Sequence, residues 1–137
     1  MAYINYENLP NTTTPLNATN LNSMQVEDSG SNSRGYWIKY NDGTLIQWNS
    51  MTVTDQAINN AYGSIYQRTR DVIFPISFLN TDGLTVLCGA FLWGTSASWG
   101  SVMSATKTAA TLRGYDYYSR ATGTSCYISW LAIGKWK

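Results

Sequence analysis

Gly35-Tyr36-Trp37-Ile38-Lys39-Tyr40, then Asn41-Asp42-Gly43, then Thr44-Leu45-Ile46-Gln47-Trp48-Asn49, is the stretch that decides the fold. Two runs rich in β-branched and aromatic residues flank an Asp-Gly pair, the signature of a β-hairpin closed by a type I′ turn. With Asp42 and Gly43 as a two-residue loop, Trp37 falls opposite Trp48, and such aromatic cross-strand pairs stabilise a ladder.

The same texture continues to the C-terminus. Short apolar runs predict strands at about 64 to 74, 84 to 92, 109 to 118 and 125 to 134, with turns at Asn80-Thr81-Asp82-Gly83 and Ala121-Thr122-Gly123. Pro75 belongs at a strand end or edge, because it has no N–H for a ladder. The stretches 50 to 62 and 93 to 107, the second rich in Gly, Ser, Thr and Ala, read as loops or helical turns. No long helix fits, so the class is all-β.

Upstream of the hairpin the composition changes. Residues 1 to 34 contain no Trp and are rich in Asn, Ser and Thr, and Glu27-Asp28-Ser29-Gly30-Ser31-Asn32-Ser33-Arg34 reads as a polar linker. Residues 15 to 24 fit a short helix, with Asn17 as N-cap and Leu16 packing on Leu21 as a hydrophobic staple. A helix this short needs a partner to be stable. Two regions result: an arm over 1–34 and a β domain over 35–137.

The strands carry a further signal. A half-solvated antiparallel strand alternates apolar with polar residues, and several here do not. In the last strand Tyr127, Leu131 and Ile133 share one face and Ile128, Trp130 and Ala132 the other. In the strand beginning at Leu84 the sets are Leu84, Val86, Cys88, Ala90 and Leu92 against Leu87, Phe91 and Trp93. A chain of 137 residues has too few other elements to cover both faces of so many strands, so the second faces are expected to meet neighbouring copies. The alternative is an unusually apolar monomer with half-exposed aromatics.

Composition removes whole classes of function. Charged residues make up 12% of the chain, against about 25% in an average domain, and the formal net charge is +1 with no basic run. A nucleic-acid partner is therefore not expected. No apolar run approaches the roughly 20 residues that span a bilayer, so membrane insertion is not expected either. The start, Met-Ala-Tyr-Ile-Asn-Tyr-Glu, lacks the layout of a secretory signal, and synthesis and folding in the cytoplasm are the expectation. Sequons at Asn11 and Asn17 mean little without that route. Cys88 and Cys126 lie inside apolar runs, where a free thiol behaves as a small hydrophobe; a disulfide is the other reading.

There is no histidine, which removes Ser-His-Asp and Cys-His catalysis and the commonest metal ligand. The remaining enzymatic route is a carboxylate pair of the glycosidase kind. Asp42 and Asp82 precede glycines and are explained by turn chemistry, leaving Asp55, Asp71 and Asp116. The expectation is no enzyme and no cofactor.

Three blocks carry a resemblance. They are Gly35 to Trp48, Val72-Ile73-Phe74-Pro75-Ile76-Ser77-Phe78, and Tyr127-Ile128-Ser129-Trp130-Leu131-Ala132-Ile133-Gly134-Lys135-Trp136. In this order, over about 100 residues, they resemble the C-terminal domains of phage tail fibres of the H-type-lectin-like kind. Their shared pattern is a glycine-led strand, an Asn/Asp-Gly turn, Leu-Ile-Gln-Trp, Phe-Pro-x-x-Phe and a closing Trp-x-Ala-Ile-Gly strand. Pro15-Leu16-Asn17-Ala18-Thr19-Asn20-Leu21-Asn22 is similar to a segment near the start of tail, baseplate and fibre proteins of phages of Gram-positive bacteria, with Thr19 where a glutamate is typical.

The resemblance implies an antiparallel β-sandwich of six or seven strands that assembles as a homotrimer and binds a bacterial surface glycan or cell-wall polymer. The arm would join it to other tail or baseplate proteins, and the location would be a virion tail appendage. A structural virion part without a ligand, such as a plug, collar or head decoration, shares every fold argument, and an unrelated lectin-like module is a third reading.

Family binding residues lie in variable loops and do not transfer by motif, so the candidate site is read from chemistry alone. Glycan binding asks for an aromatic ring to lie on a sugar and polar groups to fix its hydroxyls. Tyr115, Asp116, Tyr117, Tyr118 and Arg120 supply both within one segment, and Trp99 stands among small residues in Gly94-Thr95-Ser96-Ala97-Ser98-Trp99-Gly100. The bland readings are strand packing for the tyrosines, a loop anchor for Trp99, and a surface ion pair for Asp116 and Arg120.

Overall fold

The computed structural model describes residues 21, 22 and 25–137. The helix expected over 15 to 24 therefore lies outside the described residues apart from Leu21 and Asn22, whose backbone is helical. Among the described residues no helix is long and apolar enough to cross a membrane.

Among the described residues nine strands form two antiparallel sheets, two or three more than the six or seven expected. They are β1 (Val26–Asn32), β2 (Gly35–Tyr40), β3 (Thr44–Val53), β4 (Asn60–Tyr62), β5 (Ile65–Ile73), β6 (Thr85–Trp93), β7 (Trp99–Ala105), β8 (Ala109–Asp116) and β9 (Cys126–Lys135). One sheet runs β1-β2-β3-β9-β6 and the other β4-β5-β8-β7. The additional strands come from stretches whose composition hides them. β1 occupies the polar segment read as a linker and pairs with β2 along its length. Its Gly30 has no Cβ because the Trp37 ring would lie 2.5 Å from one. β4 and β7 fall in the two stretches read as loops.

The deciding hairpin forms, one residue out of the expected register. Tyr36 faces Trp48 and Trp37 faces Gln47, and the Tyr36 and Trp48 rings stack with centroids 5.7 Å apart. The loop has three residues. Gly43 N–H donates to the Tyr40 carbonyl at 3.0 Å, Gly43 has φ of 90°, and among the described residues none other than glycine has positive φ. This is a type I turn closed by a glycine bulge, since a type I′ turn requires Asp42 at positive φ as well.

The core draws on both sheets. Leu45, Phe91, Ile128, Trp130 and Ala132 come from the first and Val72, Ala110 and Leu112 from the second, with Phe74 and Phe78 from the connection after β5. The three sequence blocks meet here. Gln47 is fully buried and bonds the connection like an added strand: Ile76 N–H donates to its Oε1 at 2.8 Å and its Nε2 donates to the Ile76 carbonyl at 2.9 Å. Phe74 packs on Phe78 and Trp130, and Gly134 is small because a Cβ there would sit 2.7 Å from the Phe78 ring. Leu-Ile-Gln-Trp, Phe-Pro-x-x-Phe and the closing Ala-Ile-Gly are thus one packing unit.

A bulge at Gly89 changes the face assignment of β6. Cys88 pairs with Trp130 and Ala90 with Ser129, so the extra residue reverses the alternation. Val86, Cys88, Phe91 and Trp93 point to the core, while Leu87 and Leu92 are exposed. The two faces expected for β9 hold: Ile128, Trp130 and Ala132 are buried, and Tyr127 and Ile133 are exposed. Cross-strand pairing then places Tyr36, Ile38, Ile46, Trp48, Leu131 and Ile133 on one outer face with Leu87, Leu92 and Tyr127. Cys88 and Cys126 are free thiols, and burial raises Cys126 to about 11 against a weaker lowering by Arg70.

Candidate functional site

β8 alternates strictly. Ala110, Leu112, Gly114 and Asp116 are buried and Ala109, Thr111, Arg113 and Tyr115 are partly exposed. Gly114 must be small, because a Cβ there would lie 2.3 Å from the buried Phe91 ring. That inward packing turns Tyr115 outward, where β7 and β4 bring Trp99 and Tyr62 to it and the residues after β8 add Tyr117 beside Trp99.

Trp99 pairs with Tyr115 across the ladder and stacks on it, centroids 5.7 Å apart and planes within 21°. Tyr62 approaches from the other side at 6.4 Å, and Tyr117 packs against Trp99 at 6.0 Å. Tyr62, Trp99 and Tyr117 remain 55%, 42% and 66% exposed. Packed rings this open form a platform rather than core. Arg113 lies over the Tyr62 ring at 5.8 Å and donates to the Met103 sulfur. The Tyr115 hydroxyl and Ser101 Oγ share a hydrogen bond at 3.3 Å.

Of the residues singled out in the sequence, Trp99, Tyr115 and Tyr117 come together here. Asp116 does not. It is 2% exposed and saturated: Ser98 Oγ donates to it at 2.7 Å, Tyr118 N–H at 2.8 Å and Arg120 Nε at 3.1 Å. Burial pushes its pKa up, but these bonds, with Ser96 behind Ser98, outweigh burial and hold it at about 2. The expectation that Asp116 contacts a ligand is corrected, because an inward position on β8 leaves it no open surface.

Arg120 pairs with Asp116 and lies 5.3 Å from the ring centroids of both Trp93 and Tyr118. Arg120 and Tyr118 therefore belong to the turn that follows β8, and Tyr118 has no ring contact with the Trp99 cluster, though it is 69% exposed. The three carboxylates considered for acid–base work are engaged separately, Asp55 with Arg70, Asp71 with Thr111 and Asp116 with Ser98.

The sequence reading passed over Tyr62 and Arg113. Tyr62 was hidden by the reading of 50 to 62 as a loop, yet Gly63-Ser64 is a two-residue hairpin signal. It closes the β4–β5 hairpin with Tyr62 facing Ile65 and Gly63 at φ 60°. Arg113 is two residues before Tyr115 on the same strand, the spacing that puts both on one face.

The fold has solved relatives. The chain superimposes on an N-truncated R1-type pyocin tail fibre with a TM-score of 0.57 and 23% identity, covering 85% of this chain and 91% of that one. A longer R1 pyocin fibre from P. aeruginosa, comprising C-terminal residues 323–701, gives a TM-score of 0.56 and 22% identity, and here the chain corresponds to 30% of the fibre. No protein-family model matches the sequence, and no curated protein matches it. At this identity the likeness shows the fold: two antiparallel sheets arranged as in the C-terminal part of a phage-tail-like fibre.

Proposed function

We propose that this chain is the receptor-binding tip of a phage-type tail fibre or baseplate, that it works as a β-sandwich homotrimer, and that its aromatic platform binds a bacterial surface glycan. The observation that carries the reading is the platform itself: Trp99, Tyr115, Tyr117 and Tyr62 share an exposed face on a tail-fibre fold. Indole and phenol rings give large contact area at low entropic cost, and their polar tips reach hydroxyls. Arg113, Ser101 and Gln67 border the rings with planar and hydroxyl donors.

Assembly is assigned to the opposite sheet. Its outer face is apolar across β2, β3, β9 and β6, with Leu87 55% and Tyr36 50% exposed in the single chain. A continuous apolar face of this extent marks an interaction surface, and copies related by a rotation axis along the fibre would cover it. The arm over 1–34, apart from β1, which belongs to the sheet, would join the chain to other tail or baseplate proteins.

The test is binding of the fluorescently labelled chain to a panel of bacterial cells and to polysaccharide extracted from the strains that bind. Trp99→Ala with Tyr117→Ala should lower binding at least about tenfold, given that stacked aromatic contacts contribute 1 kcal/mol or more each, with the solution mass unchanged. Equal binding by the double variant would overturn the platform as the receptor site. Absence of binding across the panel would favour the ligand-free structural reading.

A further inference from the structure

A second polar site lies at the β5 edge. β4 covers only the first residues of β5, and beyond it a cleft of about 460 Å³ opens between the segment 55–59, β5 at Arg68 and Arg70, and the turn at Ala121 and Thr122. That volume lies within the roughly 300–1,000 Å³ of small-molecule sites.

The walls are fixed. Ile58 and Arg120 exchange both backbone hydrogen bonds at 2.9 Å, and Gly123 N–H donates to the Thr54 carbonyl at 2.8 Å. Ala57 and Ile58 are anchored in the core, and Gln56 is 3% exposed, with its Nε2 donating to the Ala57 carbonyl at 2.8 Å. Its Oε1 accepts from Arg70 Nη1 at 3.4 Å, and the same nitrogen donates to Asp55 at 2.9 Å. A buried amide and a carboxylate therefore hold one guanidinium.

Arg68 differs. Its Nη1 donates to Asn59 Oδ1 at 3.0 Å, a neutral acceptor, and among the described residues no carboxylate lies within ion-pair distance of it. The cleft thus holds two guanidinium charges against one carboxylate. Guanidinium groups keep several donors after one bond, and they recognise phosphate and carboxylate through paired parallel bonds.

We propose that this cleft binds the anionic group, phosphate or carboxylate, of a polyhydroxylated ligand, with Arg68 as the principal contact, Arg70 as the second, and Asn59 and Thr122 meeting hydroxyls. The site deepens the glycan-binding reading and rests on it for the source of the ligand. Arg68 and Arg70 pair with the inward-facing Gly114 and Leu112 of β8, whereas Gln67 pairs with the outward-facing Tyr115, so the cleft opens on the side of β5 away from the platform and is a separate site.

Titration calorimetry of the full chain with glycerol 3-phosphate, glucuronate, glycerol and glucose separates the sources. Binding of either anion but neither neutral probe, weakened by added salt and reduced at least about tenfold by Arg68→Gln, is the expected result; the stronger anion identifies phosphate or carboxylate as the natural group. Trp99→Ala with Tyr117→Ala should leave it unchanged, which separates this proposal from the platform. Arg68→Lys keeps the charge and should retain part of the binding. Failure of both anions to bind, equal binding of neutral probes, or an unchanged Arg68→Gln variant with wild-type melting would each overturn the proposal.

Discussion

Asp116 illustrates how one buried charge is retained. A carboxylate on the inner face of β8 is costly unless its lone pairs are filled, and Ser98, the Tyr118 N–H and Arg120 fill them. Because its folded pKa is about 2 against 3.8, the ionised carboxylate stabilises the fold fully above pH 3.8. That contribution is lost as pH falls toward 2, a change of about 2 kcal/mol. Urea unfolding of wild type and Asp116→Asn should therefore differ most near pH 5, with the gap closing on acidification; a gap that stays constant would mean that the carboxylate is not the stabilising group. The sequence showed that Asp116 and Arg120 stand four apart but not that the pair faces inward, since that depends on the register of β8 against β5 and β7. The same missing register separated Tyr118 from Tyr115 and Tyr117.

At the scale of elements, the central strands were legible because β-branched and aromatic residues repeat between turn signals. β1 was not. Val26-Glu27-Asp28-Ser29-Gly30-Ser31-Asn32 has strand geometry imposed by pairing with β2 and by Trp37 lying over Gly30, so tertiary context overrides a polar composition. The Gly89 bulge was equally hidden, because one extra residue reverses every face after it. The Gln47 contact explains why a polar residue stands in the middle of an apolar strand. Gln47→Leu keeps the volume but leaves the Ile76 N–H and carbonyl without partners, and should cost about 2–4 kcal/mol. Chemical denaturation measures the loss, and hydrogen exchange should show the Ile76 amide exchanging faster while amides of β8 are protected as before. An unchanged Ile76 amide would contradict the bridging role.

The whole molecule presents two outer faces of different chemistry. That of β4-β5-β8-β7 mixes rings with Arg113, Ser101, Thr69 and Thr111, while that of β2, β3, β9 and β6 is apolar over Ile38, Ile46, Leu87, Leu131 and Ile133. The two apolar faces of β9 were readable in the sequence, whereas the platform required strands from three separate segments to converge. With assembly proposed for the apolar face, the mass of the particle is the most direct measurement. Light scattering during size exclusion, over a dilution series, should give three times the 15.2 kDa of the chain, persisting on dilution, with Leu87→Asp and Leu131→Asp together shifting it to a single chain mass. A wild-type protein that elutes as a 15.2 kDa monomer at every concentration would contradict the assignment of the apolar face to assembly and, with it, the fibre-tip account.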